Sequence, residues 1–380
     1  MTKPSATLTP NPFSPETKRP ETTEGVFSAA EVGLANRNSG LLLETLTRDI
    51  TPTGAHYLLN HFDVPLIDAA DHRLSFSGAF DAPYSLSMDD IRALPSQTLP
   101  VTLECAGNGR AGVSPRAYSM PWMYEAVGTS EWTGTPLAPL IARAKPRDGV
   151  MDFAFTGADY GFDKGQPHAF GRSLTPDELA ALDVMLVWGM NGQPLLPQHG
   201  APLRLIVPGW YGMASVKWLT GIEALTRRYD GFQQVQTYRF RSHADDPGRP
   251  VTTIRVKSLM APPGVPDWIS RERWLEPGLV TLRGRAWSGG GTPIARVEVQ
   301  TPEGWQEATL ATPVGTYAWT GWHLDWQATP GRHVLACRAT DADGNTQPLD
   351  PPFDMAGFAN NAVQKTVVHV AQPDALQKDS

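Results

Sequence analysis

Cysteine is nearly missing from these 380 residues: there are two, Cys105 and Cys337. Two thiols build neither a disulfide scaffold nor a zinc ribbon. Long apolar runs are absent as well. None approaches the roughly 20 residues that a membrane-spanning helix needs, so no membrane partner is expected. Positive charge is not in excess, since 32 basic residues against 39 acidic ones leave a formal net charge of −7 at pH 7. That balance offers no general polyanion surface and excludes nucleic acid as a partner; an anionic ligand would need a local basic pocket. The N-terminal stretch has no apolar segment and no twin arginine, and so reads as carrying no export signal. The expected location is cytoplasmic as numbered, or periplasmic if a leader has been removed.

What is abundant is Gly and Pro, 35 of each, together with 12 Trp, which points to many turns and short strands. A chain of 380 residues exceeds one ordinary core, so two domains are expected. Residues 1–25, rich in Pro, Thr, Glu and Lys, read as a flexible tail. Residues 26–245 have an α+β texture. Leu99–Cys105 and Leu203–Val207 read as strands, while Ser87 and Thr175 read as N-caps of short helices with acids in the first turn. Beyond the turn-rich Asp245-Asp246-Pro247-Gly248-Arg249-Pro250 the apolar residues alternate with period two, as in Val280–Trp287, Ala295–Gln300, Trp322–Trp326, His333–Thr340 and Thr366–Val370. With turns such as Asp343-Gly344-Asn345 between them, residues 246–380 are expected to form an immunoglobulin-like sandwich of about seven strands, with Cys337 in its core.

Three clusters carry chemistry. In Leu103-Glu104-Cys105-Ala106-Gly107-Asn108-Gly109-Arg110 a strand ends on a cysteine followed by small turn formers, which presents a thiol at a sheet end. Arg110, five residues on, would favour its thiolate. The second cluster runs from Gly189-Met190-Asn191-Gly192-Gln193-Pro194 through His199-Gly200-Ala201-Pro202-Leu203-Arg204 to Val207-Pro208-Gly209 and Ser215-Val216-Lys217-Trp218. Its Gly- and Pro-rich loops let backbone amides approach a phosphate that Arg and Lys neutralise. The third is Tyr57-Leu58-Leu59-Asn60-His61-Phe62. Each alone is ordinary: a lone cysteine or histidine in an apolar run is more often a core residue.

Together, in this order and spacing, the clusters resemble the sulfite oxidase family of molybdopterin enzymes from about residue 40 to 370. Ala286-Trp287-Ser288-Gly289-Gly290-Gly291 and Asn360-Asn361-Ala362 look like that family's immunoglobulin-like dimerisation domain. The resemblance implies a molybdenum–molybdopterin cofactor with Cys105 as the protein thiolate on the metal, a soft ligand for a thiophilic ion. It implies that Asn60, His61, Asp159, His199, Arg204, Ser215 and Lys217 hold the pterin and its phosphate, and that Arg110 and Tyr238 flank a substrate oxyanion. No haem is expected, as in bacterial members without the fused haem domain. The implied reaction is oxidation of sulfite to sulfate by oxo transfer, with electrons passing to an external acceptor such as a cytochrome, in a homodimer.

Two positions depart from the family. Where the animal enzymes carry an arginine before Asn-His, this chain has Leu59, and a second pocket arginine near the C-terminus is matched by Lys365. Losing a bidentate guanidinium weakens anion binding without touching metal ligation. The alternative inside the class is therefore reduction of nitrate, a sulfoxide or another oxo-substrate. Outside it, a cofactor-free binding protein built on the sandwich would not need Cys105, His199, Arg204 and Lys217 together.

Overall fold

The computed structural model describes residues 27–371, so the expected tail lies outside the described residues. The first domain is α+β, as expected, and is built on two sheets. One sheet has the order Tyr84–Ser87, Arg73–Gly78, Leu219–Leu225, Asp152–Asp163, Gln166–Leu174, with Arg73–Gly78 and Leu219–Leu225 parallel. The other joins Gln97–Glu104 to Val127–Pro136 and then to Met185–Met190, against which Gln193–Pro194 and Arg204–Ile206 pair. Short helices fill the corners. Met88–Arg92 starts at Ser87 and Pro176–Ala181 at Thr175, each closed by a capping box in which the cap hydroxyl and an acid three residues on satisfy the first amides reciprocally.

The second domain is an all-β sandwich. A four-stranded sheet, Lys257–Ala261, Gly278–Trp287, Thr320–Ala328 and Thr309–Leu310, faces a six-stranded one. The latter runs Val265–Pro266, Arg273–Leu275, Gln364–Val370, Gly331–Asp341, Ile294–Thr301, Gly304–Glu307. These sheets hold ten strands against the expected seven. The excess is short pieces such as Val265–Pro266 and Thr309–Leu310, too short to show an alternation. Cys337 is fully buried in the sandwich core, as expected.

The two domains share packing. On Lys257–Ala261 the period of two sends Leu259 into the first domain's core and Met260 into the sandwich core, so the strand is buried on both faces. Trp287 and Trp319 also pack into the first domain's core. The sandwich therefore forms a wall of the first domain, and this wall stands directly behind Cys105.

Candidate functional site

Strand Gln97–Glu104 delivers Cys105 to the floor of a cleft that encloses about 670 Å³ of open space, its mouth included. Beyond the cysteine the chain turns tightly, with Asn108 N–H on Cys105 O (2.9 Å) and Arg110 N–H on Gly107 O (3.0 Å). Gly109 sits at φ +90°, where a side chain would be strained. At Gly107 a Cβ would meet the Arg110 guanidinium at 2.7 Å.

This loop is finished by the second domain. Ala359 N–H donates to Ala106 O (2.7 Å), Asn360 Nδ2 to Gly109 O (2.7 Å) and Lys257 Nζ to Asn108 O (3.4 Å). Beneath it Glu104, 1% exposed, accepts from Lys257 Nζ (2.9 Å), Asn108 Nδ2 (3.0 Å) and Trp287 Nε1 (2.9 Å). This ion pair was not expected from the sequence, because two charges 153 residues apart leave no local pattern.

Eight residues singled out from the sequence line the cleft: His61, Cys105, Asp159, His199, Arg204, Ser215, Lys217 and Tyr238. They come from segments far apart in the chain. Arg204, at the start of its strand, donates to His199 O (2.9 Å) and Ser215 O (3.1 Å). Lys217 donates to Leu59 O and Gln198 O (3.0 Å each) and to Asn60 Oδ1, which places Asn60 behind the lysine rather than in the cleft wall. His61 Nε2 and the Tyr238 hydroxyl share a 2.6 Å hydrogen bond.

Two expected residues sit elsewhere. Arg110 is buried beside the floor, its guanidinium donating to Ala356 O (2.6 Å) and Met120 O (3.1 Å), and it does not line the cleft. Lys365 lies apart, in a separate cavity with Tyr124, Leu349 and Asp350, and so does not meet the substrate position the resemblance implied. The reason is the strand period: on Gln364–Val370 the alternate residues Gln364 and Thr366 are buried, which turns Lys365 outward. Conversely, His56, Tyr57, Phe170 and Met213 line the cleft without having been expected. The Trp122 indole N–H is buried with no oxygen or nitrogen partner, close enough to the Cys105 sulfur to favour its thiolate.

Burial dominates the electrostatics. It brings His61 down to about 4, with Lys217 and Arg110 adding to the effect, and His199 down to about 3 with help from His56 and Arg204. Both imidazoles are therefore neutral near pH 7. Burial lifts Asp159 to about 6 against the pull of Lys217, and it pushes the Cys105 thiol up while Arg110 and the Gly107 amide oppose. Arg204 falls to about 10.

The cations have one feature in common. Among the described residues, every hydrogen bond that Arg204, Lys217 and Arg110 donate ends on a carbonyl or amide oxygen, and none on a carboxylate. Buried positive charge is costly unless something compensates it. Two wall cations whose head groups hydrogen-bond no carboxylate among the described residues, Asp159 acting on Lys217 only through space, and a soft thiol suit a phosphorylated, metal-bearing anion. The residues present thus fit the molybdenum–pterin group that the resemblance implied: Cys105 toward the metal, Arg204 and Lys217 toward the phosphate.

Comparison with known proteins points the same way. Residues 61–233 match the oxidoreductase molybdopterin binding domain, and residues 249–371 match the Mo-co oxidoreductase dimerisation domain. The mitochondrial sulfite oxidase of Mus musculus is 32% identical over 346 residues, which is 84% of this chain and 62% of that protein. The NADH nitrate reductase of Solanum lycopersicum is 30% identical over 354 residues, 85% of this chain and 39% of that protein. This chain thus spans less than two thirds of either relative. Among solved structures, the sulfane dehydrogenase SoxCD from Paracoccus pantotrophus shares the fold, with a TM-score of 0.74 at 23% identity, covering 98% of this chain and 100% of that one.

Proposed function

This chain belongs to the sulfite oxidase family of molybdopterin-dependent oxidoreductases, and we propose that it oxidises sulfite to sulfate and passes the electrons to an external acceptor. The observation that carries this reading is the cleft itself: a buried thiol among two wall cations to which, among the described residues, no carboxylate is hydrogen-bonded. When bound, the cofactor supplies two-electron oxo transfer at its metal.

The chain supplies the surroundings. Cys105 contributes the thiolate, and Trp122 and Arg110 favour that charged form. Arg204 and Lys217 hold the anionic end of the pterin, with their carbonyl cradle fixing both head groups. Tyr238 orients His61 through the 2.6 Å bond and turns its phenol toward the cleft, where it meets a substrate oxygen. Leu59, Phe170 and Met213 add apolar surface to the cleft lining, which lowers the local dielectric around its polar groups.

Nitrate reductases are about as similar as sulfite oxidases, so the direction of the reaction rests on Leu59, which does line the cleft. A charge-assisted hydrogen bond is worth roughly 1.5–3 kcal/mol, and about 1.4 kcal/mol is tenfold in affinity. If sulfite is the substrate, Leu59→Arg lowers its KM about tenfold or more, measured by steady-state assay with an artificial electron acceptor. No gain for sulfite, together with loss of a nitrate or sulfoxide reductase activity driven by a reduced dye, contradicts the sulfite reading and leaves the family assignment standing.

The proposal includes a homodimer built through residues 249–371. That domain carries Trp268 and Ile269, exposed to 86% and 87% at a hairpin tip. Light scattering at micromolar concentration is expected to give twice the 41.3 kDa chain mass, and a monomer mass contradicts it.

A further inference from the structure

Arg172, on strand Gln166–Leu174, is 2% exposed and has no carboxylate partner among the described residues. Its guanidinium donates to Gln233 O and Val251 O, while its Nε–H has no partner among the described residues. The carbon of that guanidinium lies 5.7 Å from the centre of the Tyr238 ring. Phe358 also stacks on Tyr238, at 5.2 Å, and Arg110 lies 5.2 Å over Phe358. Two buried cations therefore flank a pair of rings, and one of those rings carries the hydroxyl that bonds His61 and enters the cleft.

A guanidinium left uncompensated in a dry interior projects its potential over several ångströms, and a bound anion is what relieves it. The turn that delivers Tyr238 is shaped for this. Gln233–Thr237 is a single π-helical turn, whose Gln233 carbonyl holds Arg172 and whose next residue is Tyr238. Leu59, which also lines the cleft, carries no charge.

We propose that Arg172 is a specificity-determining positioning residue: from behind Tyr238 it holds the phenol in place and supplies the positive potential for an anionic substrate that Leu59 does not provide. This rests on the sulfite reading above. The charge matters more than the fork, since no carboxylate shares it.

The test compares Arg172→Lys, which keeps the charge, with Arg172→Gln, which keeps hydrogen-bond donors and loses it. Both are made in the full-length, molybdenum-loaded protein. Three quantities are read: KM and kcat for sulfite, competitive inhibition by sulfate, and the rise in Tm that sulfate produces without turnover. The lysine variant is expected to stay within about threefold of wild type in all anion affinities. The glutamine variant is expected to lose on the order of tenfold in sulfate affinity and sulfite KM, with a smaller change in kcat. A purely structural role would lower the Tm of both variants and leave sulfate affinity alone. Wild-type sulfate affinity in Arg172→Gln overturns the inference, and so does a tenfold loss in a folded Arg172→Lys should the glutamine variant not fold. A wild-type protein that turns over nitrate or a sulfoxide but not sulfite overturns the functional reading, and this inference with it.

Discussion

Replacing Cys105 with serine is expected to leave a folded chain that no longer turns over. The side chain is 7% exposed and belongs to the same core cluster as Val101, Leu103, Ala126 and Ile206, and one sulfur-to-oxygen exchange changes little volume there. The chemistry changes more, because an alkoxide is a harder donor than a thiolate and suits a thiophilic metal poorly. Disturbing only the contacts that support a metal ligand costs roughly 10–100-fold; removing the ligand atom is expected to cost more. Arg204 and Lys217 remain in Cys105→Ser, so pterin retention is expected to fall far less than activity. Wild-type turnover by this variant would contradict the assignment of the thiolate.

Lys257→Met has the second large effect. It removes the cation from a pair whose side chains are 1% and 2% exposed and leaves Glu104 buried without its counter-charge. Breaking a buried pair from one side costs about 3–5 kcal/mol, whereas removing both charges costs much less. The double variant Glu104→Gln with Lys257→Met is therefore expected to recover part of the stability that Lys257→Met loses, as read from chemical denaturation. The same lysine holds the Asn108 carbonyl of the Cys105 loop, so molybdenum per chain should fall as well. Arg285→Met is the control: it breaks another contact between the domains, to Asp49 and the Arg48 carbonyl, away from that loop. It is expected to lower stability without lowering metal content. Equal metal loss in both variants would mean that the Glu104–Lys257 pair has no special hold on the site.

Much of the site was legible in the sequence because its parts are local. The Cys105 turn, the loops around Arg204 and the Ser215–Lys217 stretch each combine glycine or proline with a functional side chain over a few residues, and the fold brings them into one cleft. What was not legible is non-local. Glu104 and Lys257 find each other across 153 residues, and Arg172 stands in a strand whose burial no pattern of neighbours reveals. His56 and Trp122 have the same difficulty, since an aromatic in an apolar run reads as core until the fold sets the His56 ring in the cleft lining and the Trp122 indole beside the Cys105 sulfur. Lys365 shows the opposite error. Matching by motif brought it to the substrate, and the two-residue period of its own strand turns it away. In the sandwich, the long alternating strands were readable and the two-residue edge pieces were not.

The most direct test of the central claim is elemental analysis of the purified full-length chain expressed in a host that makes the pterin cofactor. The account predicts about one molybdenum atom per chain, held through the cleft in which Cys105, Arg204 and Lys217 meet. A folded protein that contains no molybdenum under those conditions would contradict it.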